Sequence, residues 1–471
     1  MRWEIFLLDN QPNKKIILFV TTLGAFVVPF MVSSVNIALP YIGKEFAMNT
    51  VLLNWVILSF ILALAVFISP FGKLADIYGR KKLLMFGMAS CTIASILCGI
   101  SSNAMMLIVF RVIQGVSAAP ISIAVISILT SVFPQGERGK VIGLNVAATY
   151  TGLSSGPFLG GFLTQYLGWR SIFFVIAPIG MAVIILLLNV KQEWTGAKHE
   201  EFDVKGSIIY GAGLFGIVYG LSLIRFFWGP VLMLAGIILM VIFGYYENKV
   251  KSPILNMNLI KSNRVLIFSS LAALINYSAT FAISYLLSLY LQYIKAFEPQ
   301  QAGLVLVAQP VMQALFSPFA GRLSDRIEPR IVASLGMALT ATGLAFFIFL
   351  TETTSILPII FALLIVGLGF AFFSSPNTNA VMCSVEKKYY GVASGIIGTA
   401  RSVGQAFSMG ITSLVMLIYV GNVQINQNHY PDFLMSVKVT FLVFTLLCFM
   451  GIFASIVRGT VNKEIEKKEF N

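Results

Sequence analysis

From near its start to near its end the chain repeats one pattern: about 20 apolar residues, a short polar turn, then another apolar run. A run of that length crosses a bilayer as a helix, because a helix satisfies its backbone hydrogen bonds within one segment. Fourteen such runs can be counted, at about 16–41, 51–72, 82–100, 104–132, 140–165, 170–190, 205–224, 228–246, 263–292, 300–321, 331–350, 355–382, 389–419 and 436–458. Composition agrees: 58% of residues are hydrophobic and 11% charged, against about 45–50% and about 25% in soluble domains. The expectation is an all-α membrane protein with 14 transmembrane helices. The first run follows Lys14 and Lys15 and is longer than the roughly 7–15 residues of a signal-peptide core, so it reads as a retained helix.

The net charge of +13 does not point to nucleic acid, because the basic residues stand in the turns rather than on one amphipathic face. With the N-terminus in the cytoplasm, cytoplasmic segments hold 25 of the 32 lysines and arginines. The outer loops hold only Lys44, Arg170, Arg225, Lys295 and Lys438, and the spans only Arg111 and Arg401. That asymmetry predicts a multi-pass protein of the cell membrane with both termini cytoplasmic. Cys91, Cys98, Cys383 and Cys448 lie in or at the ends of apolar runs without a CxxC pair, which argues against a disulfide frame or zinc site. The two histidines, His199 and His429, fall in loops, and no GxxxxGK[ST] phosphate loop occurs. The chain therefore lacks material for an enzyme, a metal site or direct ATP use, and no cofactor is expected.

The turn Ser69-Pro-Phe-Gly72-Lys-Leu-Ala-Asp76-Ile-Tyr-Gly79-Arg80-Lys-Lys82 returns as Ser317-Pro-Phe-Ala-Gly321-Arg-Leu-Ser-Asp325-Arg-Ile-Glu-Pro-Arg330. Gly115 corresponds to Gly367, Gly143 to Gly395 and Gly152 to Gly404, all at an offset of 252. Two pseudo-symmetric six-helix bundles are therefore expected, at 1–190 and 263–471, the second ending in a short cytoplasmic tail with the charged stretch Lys463–Glu469. A linker with two inserted helices, 191–262, lies between them and outside the repeat.

Gly72-Lys-Leu-Ala-Asp76 with Gly79-Arg80-Lys81 resembles the loop signature of the major facilitator superfamily of secondary transporters; the second copy has Glu328-Pro329 where Gly79 would fall. Leu107-Ile-Val-Phe-Arg111-Val-Ile-Gln114-Gly115 resembles the family's fourth-helix signature, with an arginine facing the interior. Such a residue costs at least about 2.5 kcal/mol to insert, and it either braces helices or takes part in coupling. Gly152-Leu-Ser-Ser-Gly156-Pro157-Phe-Leu-Gly160-Gly161 resembles the family's antiporter motif, to which the resemblance assigns control of outer-side closure; by physics alone, glycines four apart also serve simple packing. Val35-Asn36-Ile-Ala-Leu-Pro40, Leu289-Tyr-Leu-Gln292, Gln301-Ala-Gly303 and Gly391-Val-Ala-Ser-Gly395 with Arg401, Gly404 and Gln405 are similar to the fourteen-helix drug:proton antiporter branch. The resemblance thus implies multidrug efflux and drug resistance by alternating access. One departure stands out: Met31 occupies the place where relatives carry a membrane aspartate.

None of the nineteen acids falls within a predicted span. Two buried arginines without a counter-acid favour neutral, zwitterionic or anionic amphipathic cargo over lipophilic cations. Proton coupling would then need a rim acid such as Glu45 or Glu298, or a group on the cargo. Candidates for substrate binding or coupling are Asn36, Trp55, Arg111, Gln114, Tyr150, Asn276, Tyr277, Gln313, Asn377, Arg401 and Gln405; candidates for gating are Gly72, Asp76, Gly79, Arg80, Gly321, Asp325, Gly152, Gly156, Pro157, Gly160 and Gly161. A lone amide in a membrane helix more often ties helices together than touches cargo. The expected partners are the lipid bilayer and a small amphipathic molecule, the chain acting as a monomer; an adaptor protein stays open. Export of such compounds is the leading expectation. A uniporter or importer of an organic anion or metabolite, and a transport-dead sensor, are the alternatives.

Overall fold

In the computed structural model of the protein every predicted apolar run lies in helix; residues 13–196, 200–255, 257–386 and 389–459 are described. His199 and the 463–469 tail lie outside the described residues. The long helices are α1 (Lys14–Glu45), α2 (Thr50–Tyr78), α3 (Arg80–Gly99), α4 (Ala104–Val132), α5 (Gln135–Leu167), α6 (Ser171–Leu188), α7 (Val204–Ser222), α8 (Trp228–Glu247), α9 (Arg264–Ile294), α10 (Pro299–Arg326), α11 (Pro329–Phe347), α12 (Ile356–Ser384), α13 (Tyr390–Tyr419) and α14 (Gln427–Val457). Asparagine side chains start several of them: Asn49 accepts from Leu52 N (2.8 Å), Asn103 from Met106 N and Asn263 from Leu266 N (both 2.9 Å), which satisfies first-turn donors that lipid could not.

Thirteen of these helices are long and apolar enough to cross a membrane, and α5 is the exception. It has 33 residues but is diluted by glycine, serine, threonine and tyrosine, so its reduced apolarity marks close packing and an inward face rather than a surface position. Gly152 of α5 meets the backbone of Phe26 in α1, as Gly404 of α13 meets that of Leu274 in α9. Gly115 of α4 meets the backbone of Phe60 in α2, and Gly367 of α12 that of Gln309 in α10. At these points a Cβ has no room, so the glycines are fixed by contact between helices, and the same contacts occur in both repeats.

The α7–α8 hairpin lies against the line where α2 meets α13. Tyr210 donates to the Ala65 carbonyl of α2 (2.9 Å) and Arg225 to the Leu417 carbonyl of α13 (2.9 Å). Trp55 of α2 packs edge-on to Tyr219, 5.4 Å between rings. α8 covers α7 and is largely exposed on its other side.

At the basic end of the bundle Gly79 takes φ +116°, so a side chain there is strained, and it would also strike Glu193. The Glu193 carboxylate accepts from Lys81 N (2.8 Å) and Lys82 N (3.1 Å), which caps α3. Asp76 pairs with Arg80 (2.7 Å) within its own turn, and its carbonyl accepts from Gly196 N (2.9 Å). Arg80 N donates to the Trp194 carbonyl (2.9 Å), so the segment leaving α6 is strapped beneath this turn. Lys73 pairs with Glu200 and holds its carboxyl below the usual range. In the second copy, Asp325 accepts instead from Asn379 of α12 (3.0 Å). Gly72 sits against Ile123 of α4 (3.4 Å) and Gly321 against Ser375 of α12 (2.9 Å), measured from the position a Cβ would take.

Candidate functional site

Two groups of helices, one holding α1, α2 and α5 and the other α9, α10 and α13, meet at the end of the bundle opposite the basic turns. Ser288 of α9 donates to the Asn36 carbonyl of α1 (2.7 Å) and Gln292 to the Ile37 carbonyl (2.9 Å). Residues 290–294 form one wide π turn, which delivers the Gln292 amide to α1. Tyr41 donates to Glu298 (3.2 Å), Tyr166 to Gln300 (3.3 Å), and Gln300 N to Gln165 (3.2 Å). Thr50 N donates to the Val423 carbonyl (3.0 Å). Backbone meets backbone twice: Gly161 of α5 lies against Pro299 and Gln300, and Gly303 of α10 against the Pro157 carbonyl.

The glycine run in α5 therefore has two jobs. Gly152, Gly156 and Gly160 face Phe26, Ser33 and Ser34 of α1 within one repeat, while Pro157 and Gly161 face α10 of the other. Towards the basic end the contacts between the two sets thin out. Ser317 of α10 donates to the Tyr150 hydroxyl (3.2 Å), and Ser69 of α2 meets Thr399 of α13 (2.7 Å). Beyond these, Gly139 and Gly143 of α5 and Gly391, Gly395 and Gly398 of α13 have nothing within 4 Å of where a Cβ would stand. Bonds and backbone contacts across this seam are thus denser at the far end than at the basic end.

Towards the basic end, Tyr150, Tyr277 and Arg401 converge from α5, α9 and α13. The Arg401 guanidinium stacks over Tyr277 (5.1 Å to the ring centre). Phe370 of α12 packs edge-on to Tyr277 at 5.1 Å. Gln405 follows Arg401 by one turn, and buried Gln313 precedes Ser317 by one turn, so each shares a helix face with a member of the cluster. The Arg401 Nε and both amide atoms of Asn276 have no hydrogen-bond partner within the protein. Uncommitted polar atoms beside an aromatic shelf and a cation can receive a planar, acceptor-bearing molecule.

Other sequence candidates stand elsewhere. Arg111 is fully buried in the first six helices, donates to the Val56 carbonyl (2.9 Å) and to Gln114, and lies over the Phe60 ring (4.3 Å). Gln114 in turn donates to Ser95 (2.7 Å) and to the Met31 sulfur (3.3 Å). Arg111→Lys should lower thermal stability by about 2 kcal/mol, since an ammonium cannot span both acceptors. Stability unchanged alongside lost transport would put Arg111 in the transport path instead. Asn377 is tied to the Ser269 carbonyl (3.0 Å) and to Arg458 (2.9 Å), and Trp55 is engaged by the hairpin. Arg458, which the charge count placed in a cytoplasmic segment, is 1% exposed beneath the second six helices. Its position at the very end of an apolar run carried no signal of burial. The closing contacts of Tyr41, Ser288 and Gln292 were also outside the candidate list, although Gln292 sits in a quoted motif.

The description "Major Facilitator Superfamily" matches residues 21–260 and 269–470. The chain belongs to the major facilitator superfamily. It is thus a multi-pass membrane transporter of this family and not an enzyme. This superfamily member is 28% identical over 415 residues to the multidrug resistance protein Stp of Mycobacterium tuberculosis, covering 86% of this chain and 76% of that protein. It is 27% identical over 451 residues to the riboflavin transporter RibZ of Clostridioides difficile, covering 94% and 97%. A mutant form of the nucleoside transporter NupG superposes with a TM-score of 0.65 over 94% of this chain and 99% of that structure; at 13% identity the likeness concerns fold alone.

Proposed function

We propose that this superfamily member exports small planar amphipathic compounds, neutral or anionic, by alternating access, in the manner of the fourteen-helix drug:proton antiporters. The basic end is cytoplasmic, α5 is the fourteenth span, and two six-helix bundles, 1–190 and 263–471, rock about a central site with the 191–262 hairpin at their edge. The observation that supports this reading is the gathering of bonds and backbone contacts at the far end and their thinning towards the basic end, where Tyr150, Tyr277 and Arg401 converge. The bundle is then in its inward-facing state, cargo enters from the cytoplasm, and the outer seam must open for release. Likeness to a multidrug resistance protein and to a riboflavin transporter over most of the chain suits an aromatic cargo.

A cluster with fixed positive charge and no carboxylate disfavours cations. Among the four outer acids, Glu45 is engaged within its own half by Arg170 (2.6 Å) and Trp169 (2.6 Å), while Glu298 bridges the halves through Tyr41. Glu298 is therefore the acid through which a proton gradient acts. In proteoliposomes we expect anionic and neutral aromatic compounds to move and a monovalent cationic dye to move at least tenfold more slowly. An imposed pH gradient should accelerate the wild type but not Glu298→Gln. Equal flux of the cationic dye at clamped potential would overturn the cargo assignment, and an unaltered gradient response in the variant would overturn the role of Glu298. The second reading, a uniporter or importer of an organic anion, is favoured by the likeness to a riboflavin transporter, and transport indifferent to the gradient in the wild type would select it.

A further inference from the structure

At the basic end of the α7–α8 hairpin two carboxyl groups face each other away from solvent. Asp203, the N-cap of α7, is 8% exposed, and Glu247, the last residue of α8, is 2% exposed. One oxygen of each is satisfied: Asp203 Oδ1 accepts from Gly206 N (2.9 Å) and the Tyr246 hydroxyl (3.3 Å), and Glu247 Oε2 accepts from Leu255 N (3.3 Å). The other two, Asp203 Oδ2 and Glu247 Oε1, receive no donor. Both crowd Gly206, with Glu247 Oε1 2.7 Å from where its side chain would begin and Asp203 Oδ2 closer still. Two oxygens that crowd the same point beside Gly206 bring the carboxyls close together.

No cation answers this pair among the described residues. Lys205 and Lys251 are exposed, Lys249 is drawn to Tyr245 (2.8 Å) and Lys261 to Asn248 (2.9 Å). Lys73, from neighbouring α2, pairs with Glu200, and Arg401, the charged residue of α13, is stacked on Tyr277. The titratable groups facing Glu247 are thus Asp203 and the Tyr246 hydroxyl beside it. Two buried like charges in contact do not both ionise. A single proton between the two bare oxygens satisfies both. We infer that Asp203 and Glu247 form a proton-binding site that holds the base of the hairpin closed.

The site sits where its occupancy matters. Asp203 ends the segment strapped under the Asp76–Arg80 turn, and Glu247 begins the segment that leads to α9. Those segments also meet at Glu200, which Lys73 and Ser252 both reach. Loss of the proton sets two charges against each other and loosens the bonds to Gly206 N and Leu255 N. The grip of the hairpin on the α2/α13 line weakens as the surrounding medium becomes alkaline, over a range above that of an exposed carboxyl.

The test uses the full chain in lipid and does not depend on which cargo is carried. Infrared titration from acidic to alkaline pH should show a protonated-carboxyl band that outlasts ordinary carboxyls and is missing from both Glu247→Gln and Asp203→Asn. Hydrogen exchange at Gly206 and Leu255, corrected for the intrinsic pH effect, should rise severalfold in the wild type as that band fades and stay flat in Glu247→Gln. Should Glu247→Gln not fold, Asp203→Asn keeps the helix cap and carries both readouts. Two ionised carboxylates at mildly acidic pH, or the same exchange profile in variant and wild type, would overturn the proposal.

Discussion

Replacing Gly161 with leucine is expected to cut transport at least about fivefold and to leave the far end of the bundle open. Gly161 lies against Pro299 and Gln300 of the opposite six helices, with Gln300 Cα 2.9 Å from where a side chain would start. Backbone does not yield as a flexible side chain would, so a leucine there must push α5 and α10 apart. Overpacking of this kind costs about 1–3 kcal/mol, and here the cost falls only on the state in which that seam is closed, roughly a 5- to 150-fold shift in population. Gly156→Leu makes the necessary contrast. Gly156 meets Ser33 and Ser34 of α1 inside one half, so that variant should lose thermal stability without biasing the gate. Accessibility of a cysteine placed near Gln165, measured from the far side, reads the difference. Equal accessibility in wild type and Gly161→Leu would reduce this seam to passive packing.

Arg401→Gln is expected to lower transport of anionic aromatic compounds about ten- to hundredfold while affecting neutral ones less. Arg401 supplies the charge of the Tyr150–Tyr277–Arg401 cluster, and its Nε has no partner within the protein. A hydrogen bond between a charged donor and a cargo acceptor contributes about 1.5–3 kcal/mol, which sets that range. Arg401→Lys should fall between, because an ammonium keeps the charge but loses the planar face stacked on Tyr277. Wild-type flux of anions in Arg401→Gln would show that the guanidinium stays outside the path.

The fold was readable because lipid makes span length a hard requirement and because two of the glycine pairs at an offset of 252, Gly115/Gly367 and Gly152/Gly404, mark close contacts that both repeats share. The run 140–165 is the least apolar of the fourteen expected, and α5, which holds it, shows why: a helix that touches α1 and α10 through backbone cannot also be rich in leucine. The site was read less well. Arg111 and Arg401 look alike in sequence and each keeps one nitrogen without a partner, yet the first is sealed among Val56, Gln114 and Phe60 and the second is only part-buried, over Tyr277. The difference lies in which neighbours three other helices bring, and no spacing rule encodes that. Arg458 and the Asp203–Glu247 pair were missed for the same reason. Charges near the end of an apolar run are normally solvated, and only tertiary packing removes them from water.

The most direct test of alternating access is a pair of distance measurements by electron spin resonance in lipid, with the exposed Cys383 replaced by serine. One pair of labels is placed at Gly143 and Gly395, where side chains meet nothing within 4 Å, and the other at the far ends of α5 and α10. When cargo and a pH gradient are supplied, the first distance should shorten while the second lengthens, with both states present in one sample. Two distances that never change, or that change in the same direction, would contradict the account.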